Sequence, residues 1–238
     1  MARLPYLNSS DLAPENQDLL KRPINLYRAM THSPGGARAF HVLGEYIRWN
    51  SPLDSRLREL AIIQVGYITR SVYEYTHHVK LGLDFGVTHD DLIGLAAYSA
   101  GKPHSLDDLS KGVLDAATEM TNGHAISDKT WNFLSQQLSH EHLTDLVIII
   151  SFYNGVVRFL ATMQIDNEPE FQAFLDEVMK EVSAEQHVHV ILDNYCTHKR
   201  NDDWLSKHPN VTFHFTPTSA SWLNQVEIWF GMLSRKAL

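Results

Sequence analysis

The sequence has one cysteine among 238 residues, and this scarcity excludes several classes of protein. A lone thiol, Cys196, forms no disulfide within the chain and no C-x-x-C redox pair. It also excludes a cysteine-rich zinc site, which needs several thiolates. Such a chain suits a reducing compartment, so we expect a cytoplasmic protein in which Cys196 is unreactive.

Positive charge and long apolar runs are also scarce. Lys and Arg number 20 against 28 Asp and Glu, and the formal net charge of −8 disfavours a chain built to coat nucleic acid or an anionic membrane. The most apolar stretch, residues 146–152, is far shorter than the roughly 18 residues of a membrane span. The N-terminus lacks the apolar block of a signal peptide. With 44% hydrophobic residues, we expect a soluble protein with a buried core.

Hydrophobic periodicity divides the chain into two parts. Residues 22–164 show helical patterns broken by cap and turn residues, and the eighth predicted helix, about 141–163, is apolar around most of its circumference and therefore central. After that point, 187–193 and 212–215 have the pattern of strands, and a last helix follows from about Ser221. We predict an all-α domain over 1–167 and an α/β fragment over 168–238. The predicted helices begin at about Pro23, Pro34, Leu53, Ser71, Thr88, Ser105 to Asp108, Ser127 and Glu141.

Three residues of the helical part form a candidate site for proton transfer. Glu74 and His78 are four residues apart and share a helix face, and Glu59 stands at the start of the preceding apolar helix. Other interpretations stay open. Ser71 and Glu74 also fit a capping box, Glu59 fits a first-turn acid stabilised by the helix dipole, and His77 or His78 could be a solvated surface group.

The segment LRELAIIQVGYITRSVYEYTHHVKLGLDFGV (57–87) resembles the carboxymuconolactone decarboxylase-like family, which includes alkylhydroperoxidase D. NLYRAMTHSPGGARAF before it and SFYNGVVRFLATMQID after it extend the resemblance over about 22–167. The resemblance implies an all-α fold that assembles into trimers or hexamers and needs no cofactor. The peroxidase branch of the family has a glutamate followed by C-x-x-C-x-x-x-H. Here Glu59 and His78 match, whereas Ser71 and Glu74 replace the two cysteines.

Because both thiols are missing, the resemblance points to the decarboxylase branch. That branch removes CO₂ from a small organic acid or lactone and protonates the resulting carbanion or enolate. The resemblance implies that His78 donates the proton, that Glu74 orients His78, and that Glu59 is a second acid/base group. The alternative is a catalytically silent oligomeric binding protein.

The strings DNYCTHK, WLSKHPN, HFTPTSASWLNQVE and WFG, in this order over about 170–238, resemble the catalytic domain of mariner-like DDE transposases of insertion sequences. The implied fold is α/β of the RNase H-like type. In that family three acids hold Mg²⁺, and Asp193 and Glu227 match the second and third acids. By residue type alone, Asp193 also fits a turn and Glu227 a solvated helix position.

The first acid and the DNA-reading N-terminal domain of such a transposase are missing from the matched segment. We therefore interpret the tail as an inactive remnant, joined to the helical domain between residues 166 and 171 by read-through. We expect no DNA partner, and Mg²⁺ only if the remnant were active. The alternative is a transposase-derived nucleic-acid-binding protein.

His187, His189 and Asp193 recur at a spacing of two and share a strand face. Two histidines and an aspartate are a possible zinc set, and a solvated strand face explains the same pattern. The two predicted strands would also lack the rest of the transposase sheet, so we expect them to have no sheet partners and to form an appendage.

Overall fold

The computed structural model describes residues 2–165, 175–176, 179–180, 182–183, 186–192 and 202–215. Ala2–Asp166 form one compact unit, and the residues described after it belong to a second. Each unit is described by itself below.

Within residues 2–165, eight α-helices follow two short 3-10 helices, Ser9–Asp11 and Pro14–Leu20. One further element, a π-helix at Tyr46–Asn50, continues the second α-helix without a break. The α-helices are α1 (Asn25–Met30), α2 (Pro34–Glu45), α3 (Ser55–Ile68), α4 (Val72–Asp84), α5 (His89–Ser99), α6 (Asp108–Asn122), α7 (Asp128–Gln137) and α8 (His140–Met163).

The all-α prediction for this part of the chain is confirmed, and each predicted helix begins within three residues of an observed one. Side-chain N-caps explain this agreement at α3, α5, α6, α7 and α8, because a cap residue accepts a hydrogen bond from an amide that the helix leaves unpaired. Thr88 and Asp91 form the predicted capping box of α5. The caps of α3, α6, α7 and α8 are Asp54, Asp107, Ser127 and Ser139.

Helix α8 is the central helix of the unit. It packs against α3, α6 and α7, and its buried residues include Leu146, Ile150 and Val157. Among the described residues, α8 alone is long and apolar enough to cross a membrane by length and composition. The buried Asp145 and Asn154 instead mark it as the core helix of a soluble fold.

Helices α3 and α4 form a closely packed hairpin that positions the candidate site. A Cβ atom at Gly66 would lie 3.0 Å from the backbone nitrogen of Tyr75, so only glycine allows this approach of the two backbones. The turn between the helices contains Arg70 in the left-handed region, at φ 53°. This close hairpin brings α4 side chains against residues 19 positions earlier on α3.

The second unit contains a strand–helix–strand arrangement: β1 (Val188–Leu192), α9 (Asp202–Lys207) and β2 (Val211–Phe215). The two strands pair in parallel with Val188 opposite Val211. Leu175, Trp204 and Val211 form a small buried cluster beside them. The Trp204 indole donates a hydrogen bond to Asp176 over 2.6 Å, which satisfies its polar atom.

The prediction of two strands here is confirmed, but the expectation that they lack sheet partners is wrong. β1 and β2 pair with each other, because the intervening segment supplies the crossover that parallel pairing requires. Asp193, Cys196, Glu227, the helix predicted from Ser221 and the predicted junction at 166–171 lie outside the described residues.

We expect the helical unit to fold without the residues that follow it. Deleting 170–238 should leave the helical circular dichroism signal of the remainder intact, because α8 and its neighbours already enclose a core. The oligomeric state, measured by analytical ultracentrifugation, should also stay the same.

A shorter truncation after Gly155 is the control, since it removes the core residues Val156, Val157 and Leu160 and should unfold the unit. Unfolding of the chain truncated at 170 would show instead that the tail is an integral part of the helical fold.

Candidate active site

Glu59, Glu74 and His78 converge on one point of the α3–α4 hairpin. Nδ1 of His78 lies 2.7 Å from Oε2 of Glu59, and Nε2 lies 3.4 Å from Oε2 of Glu74. Arg58 donates from Nε to Oε1 of Glu59 over 3.1 Å. All four side chains are at most 4% exposed. The imidazole is therefore held between two carboxylates, with a guanidinium behind one of them.

The non-catalytic interpretations that the sequence left open for Glu59, Glu74 and His78 are wrong for this structure. Glu59 is the fifth residue of α3, beyond its first turn, and is 2% exposed. The side chain of Ser71 makes no cap hydrogen bond at the start of α4, so Glu74 is no capping-box partner. His78 is 2% exposed, which excludes a solvated role. Burial of these ionisable groups is costly, and mutual pairing is what compensates it.

The charge state of the cluster follows from burial and pairing. Although burial lowers the pKa of His78, the hydrogen bonds to Glu59 and Glu74 raise it overall to about 9. Burial raises the pKa of Glu59, but hydrogen bonding to His78 and the charges of His78 and Arg58 hold it below its ordinary value. At neutral pH, His78 is therefore an imidazolium that donates its Nδ1–H to Glu59, with Nε2 at ion-pair distance from Glu74.

A cavity of about 260 Å³ lies beside this cluster. Glu74 and His78 line it, whereas Glu59 and Arg58 do not. The ring of Tyr153 also lines the cavity and meets the His78 ring edge to face, with the centroids 4.8 Å apart. A ligand in the cavity therefore meets the Glu74 side of His78, while Glu59 holds the imidazole from the protein interior.

The wall opposite combines cations with aromatic rings, and sequence reasoning missed these residues. Arg48, on the π-helix, is half-buried, and no residue in the described ranges pairs with it within ion-pair distance. Arg22 lies 3.3 Å from His77, Nη2 to Nε2. Burial lowers the pKa of His77 to about 3, so its imidazole is neutral. Helical periodicity gives no signal for Arg22, Arg48 and His77 together, since they come from a loop, the π-helix and α4. The remaining lining includes Tyr27, Phe40, His41, Gly44, Trp49, Tyr73, Phe152 and Val156.

No group of three metal-ligating side chains occurs among the residues that the structure describes. On the exposed face of β1, His187 Nε2 lies 2.9 Å from Thr212 Oγ1, and His189 Nδ1 lies 2.8 Å from His214 Nε2. Each of these nitrogens lies within hydrogen-bond distance of a neighbouring side chain. The third member of the proposed zinc set, Asp193, lies outside the described residues.

Two family models match the chain. The carboxymuconolactone decarboxylase family matches residues 34–104, which contain Glu59, Glu74 and His78. The DDE superfamily endonuclease family matches residues 115–238. The chain belongs to the DDE superfamily endonuclease family, and its residues 34–104 resemble the carboxymuconolactone decarboxylase family. The second match begins within α6, inside the compact helical unit.

Solved structures share the helical fold. The AhpD core of an uncharacterized peroxidase-related protein from Ralstonia eutropha JMP134 is 16% identical, with a TM-score of 0.60 over 69% of this chain and 91% of that chain. The debrominase Bmp8, in complex with 2,3,4-tribromopyrrole, is 19% identical, with a TM-score of 0.57 over 75% and 100%. A protein of unknown function, ATU0492 from Agrobacterium tumefaciens, is 20% identical, with a TM-score of 0.51 over 58% and 94%. No curated protein matches the chain.

The pairing of His78 with Glu59 predicts a defined pH dependence of stability. The folded pKa of His78, about 9, exceeds its ordinary value of 6.5, so the stabilisation is complete below pH 6.5 and is lost as the pH rises through 9. The pKa of Glu59 is lowered from 4.5, so its contribution is complete above pH 4.5 and is lost in more acidic solution. The melting temperature should therefore exceed that of His78→Asn/Glu59→Gln most between pH 4.5 and 6.5, and the excess should shrink toward pH 9.

His89→Asn is the matched control, because His89 is exposed at the start of α5. Its melting temperature should follow that of the unchanged protein over the whole pH range. A constant difference between the unchanged protein and the double variant would show that the pair is not charged.

Proposed function

We propose that the helical domain is a cofactor-free, carboxymuconolactone decarboxylase-like lyase of the cytoplasm that acts on a small organic acid or lactone. One observation carries the proposal: the cavity exposes the Glu74 side of a buried imidazolium whose other nitrogen is anchored by Glu59. A buried, charged proton donor beside a cavity of about 260 Å³ suits general acid catalysis on a small molecule.

The reaction would proceed without an external electron donor or acceptor. The C–C bond to the carboxylate breaks, CO₂ leaves, and its electron pair remains on the substrate as a carbanion or enolate. His78 transfers the Nε2 proton to that carbon, and the neutral imidazole that remains keeps its Nδ1–H on Glu59. Water then restores the proton. Before the transfer, the negative charge of Glu74 stabilises the protonated form of His78. That attraction is lost once the imidazole is neutral.

The geometry favours roles for Glu59 and Glu74 that differ from those implied by the resemblance. Glu59 lies behind His78 and does not line the cavity, so we assign it the orienting role. Glu74 lines the cavity and sits 3.4 Å from Nε2, so we assign it the second acid/base role beside the substrate. Arg58 keeps Glu59 ionised through its hydrogen bond to Oε1.

The position of Arg48 favours a substrate that carries a negative charge. Its guanidinium lines the cavity, and its charge counteracts the rise that burial imposes on the pKa of Tyr153. A half-buried cation without a carboxylate partner in the described ranges is suited to bind a carboxylate of the ligand.

The proposed chemistry predicts distinct kinetic effects for the two sides of His78. With carboxymuconolactone as substrate, His78→Asn and Glu74→Gln should lower kcat by about 100-fold or more, the usual contribution of a general acid or base. Glu59→Gln should lower the pKa of His78, so the alkaline limb of the pH–rate profile should move to lower pH. Release of CO₂ and loss of the lactone absorbance measure both effects.

His89→Asn, which changes an exposed histidine, should leave kcat unchanged. If His78→Asn and Glu74→Gln retain full turnover, the assignment of both residues is wrong. If no turnover occurs on any small lactone acid, the helical domain is the silent binding protein.

We expect no reduction of alkyl hydroperoxides with a dithiol donor. Ser71 and Glu74 occupy the positions of the two family cysteines, and neither forms the disulfide that this turnover requires. Peroxide consumption in the presence of a dithiol, measured beside the Cys196→Ser variant, tests this. Consumption that persists in Cys196→Ser would reveal a route without thiols and contradict the prediction.

We further propose that the transposase-like part carries no strand-transfer activity. Of the three family acids, the sequence matches only Asp193 and Glu227, and two-metal chemistry needs a complete carboxylate cage. The family match over 115–238 leaves a nucleic-acid-binding role as the second candidate. For the helical unit we propose a homo-oligomer, trimer or hexamer, which is consistent with the exposed apolar side chains Val42, Trp49 and Ile93.

A further inference from the structure

The π-helical turn Tyr46–Asn50 contributes Arg48 and Trp49 to the cavity wall. The Ser51 amide donates to the Tyr46 carbonyl over 2.8 Å, the five-residue spacing that defines a π turn. Such turns occur mostly as single insertions in α-helices and often at functional sites.

The π turn determines which way Arg48 faces. Residues Phe40, Gly44 and Arg48 all line the cavity, although they recur every four residues. In a regular α-helix at 100° per residue, Arg48 would be rotated by about 80° from Phe40. The wider π turn reduces this rotation, so that Arg48 faces more nearly the same way as Phe40.

Both ends of the π turn are fastened to one buried carboxylate on α8. Tyr46 donates from its hydroxyl to Asp145, with O–O distances of 2.9 and 3.1 Å, and Ser51 donates to Oδ2 over 2.5 Å. Asp145 is 3% exposed and does not line the cavity. No cation in the described ranges pairs with it, so these two hydroxyls are its hydrogen-bond donors there.

A buried carboxylate held only by hydroxyl groups is costly for stability alone, since its desolvation is not repaid by an opposite charge. Charge-assisted hydrogen bonds are also stronger and shorter than neutral ones, and they fix geometry more closely. The carboxylate is therefore better explained by the turn that it fixes than by the stability it contributes.

We propose that Asp145 is a positioning residue that locks the π turn so that Arg48 receives the carboxylate of the ligand. Asp145 touches no ligand in this arrangement and acts through Arg48. The inference rests on the anionic substrate proposed above, but it concerns binding and is independent of proton transfer.

Benzoate and benzamide are the probes, because they have the same ring and differ in charge. Titration calorimetry with the full chain should show that Arg48→Ala weakens benzoate binding by about tenfold or more, the loss expected for a hydrogen-bonded charge pair, and leaves benzamide binding unchanged. Tyr46→Phe/Ser51→Ala, which removes both hydroxyls but keeps Asp145, should give a similar selective loss.

Combining the two sets of changes decides the proposal. If Asp145 acts through Arg48, Tyr46→Phe/Ser51→Ala should cause no further loss of benzoate affinity in an Arg48→Ala background. Losses that multiply would show independent roles and overturn it. Ser99→Ala is the control, since it removes a hydroxyl that is bonded to the buried Gln64 and lies away from the cavity, and it should leave benzoate affinity unchanged.

A fluorine label reports on the turn itself. Trp49 lies on the π turn, with its ring 5.6 Å from that of Phe85. In protein labelled with 5-fluorotryptophan, the Trp49 resonance, assigned through Trp49→Phe, should broaden or shift in Tyr46→Phe/Ser51→Ala and stay in place in Ser99→Ala. An unchanged resonance would show that the hydroxyls do not hold the turn.

Failure here is distinguishable from failure of the proposed reaction. If the unchanged protein does not bind benzoate more tightly than benzamide, the anion site is refuted whatever the turnover. If benzoate binds selectively through Arg48 but no lactone acid is turned over, the positioning role stands and the catalytic assignment falls.

Discussion

The helical unit is organised around one electrostatic constraint, a charged imidazole buried between two carboxylates. An isolated His78 imidazolium could not remain charged at 2% exposure, because burial alone lowers its pKa. Glu59 at 2.7 Å reverses that effect, and Arg58 in turn supports Glu59. The formal charges of Arg58, Glu59, Glu74 and His78 sum to zero. The close hairpin of α3 and α4 follows from this requirement, since a wider crossing would separate the pair.

Glu59 and Glu74 carry the same functional group but lie in different positions. Their positions suit them to different roles in proton transfer. Glu59 is enclosed by the protein and shares its oxygens between His78 and Arg58. Glu74 contacts His78 more loosely, at 3.4 Å, and faces the cavity. A ligand can therefore exchange protons with the Glu74 side while the other side keeps the ring in place. This asymmetry suits a proton donor that must be restored after each turnover.

Local sequence signals predict what depends on neighbouring residues along the chain. The capping residues and the apolar periodicity give the eight helices, and spacing gives Glu74 and His78 a common face. The same local logic also suggested a capping box at Ser71, which the structure does not contain. The depth of Glu59 and the arrival of Arg48 and Tyr153 depend on how α2, α3 and α8 pack together. Periodicity does not encode these contacts, and it gives no sign of the π turn that carries Arg48.

The cavity lies in a part of the chain where the two family matches can be compared with the fold. Among the described residues, every side chain that lines the cavity lies between Asp18 and Val156, within the compact helical unit. The hydrogen bond between Ser51 and Asp145 and the pair formed by His78 and Glu59 lie within the same range. The described residues after 165 therefore contribute no group to the lining of this cavity. The endonuclease-family match, which begins at residue 115, does include Phe152, Tyr153 and Val156 of the cavity wall, so one compact unit carries residues of both matched segments.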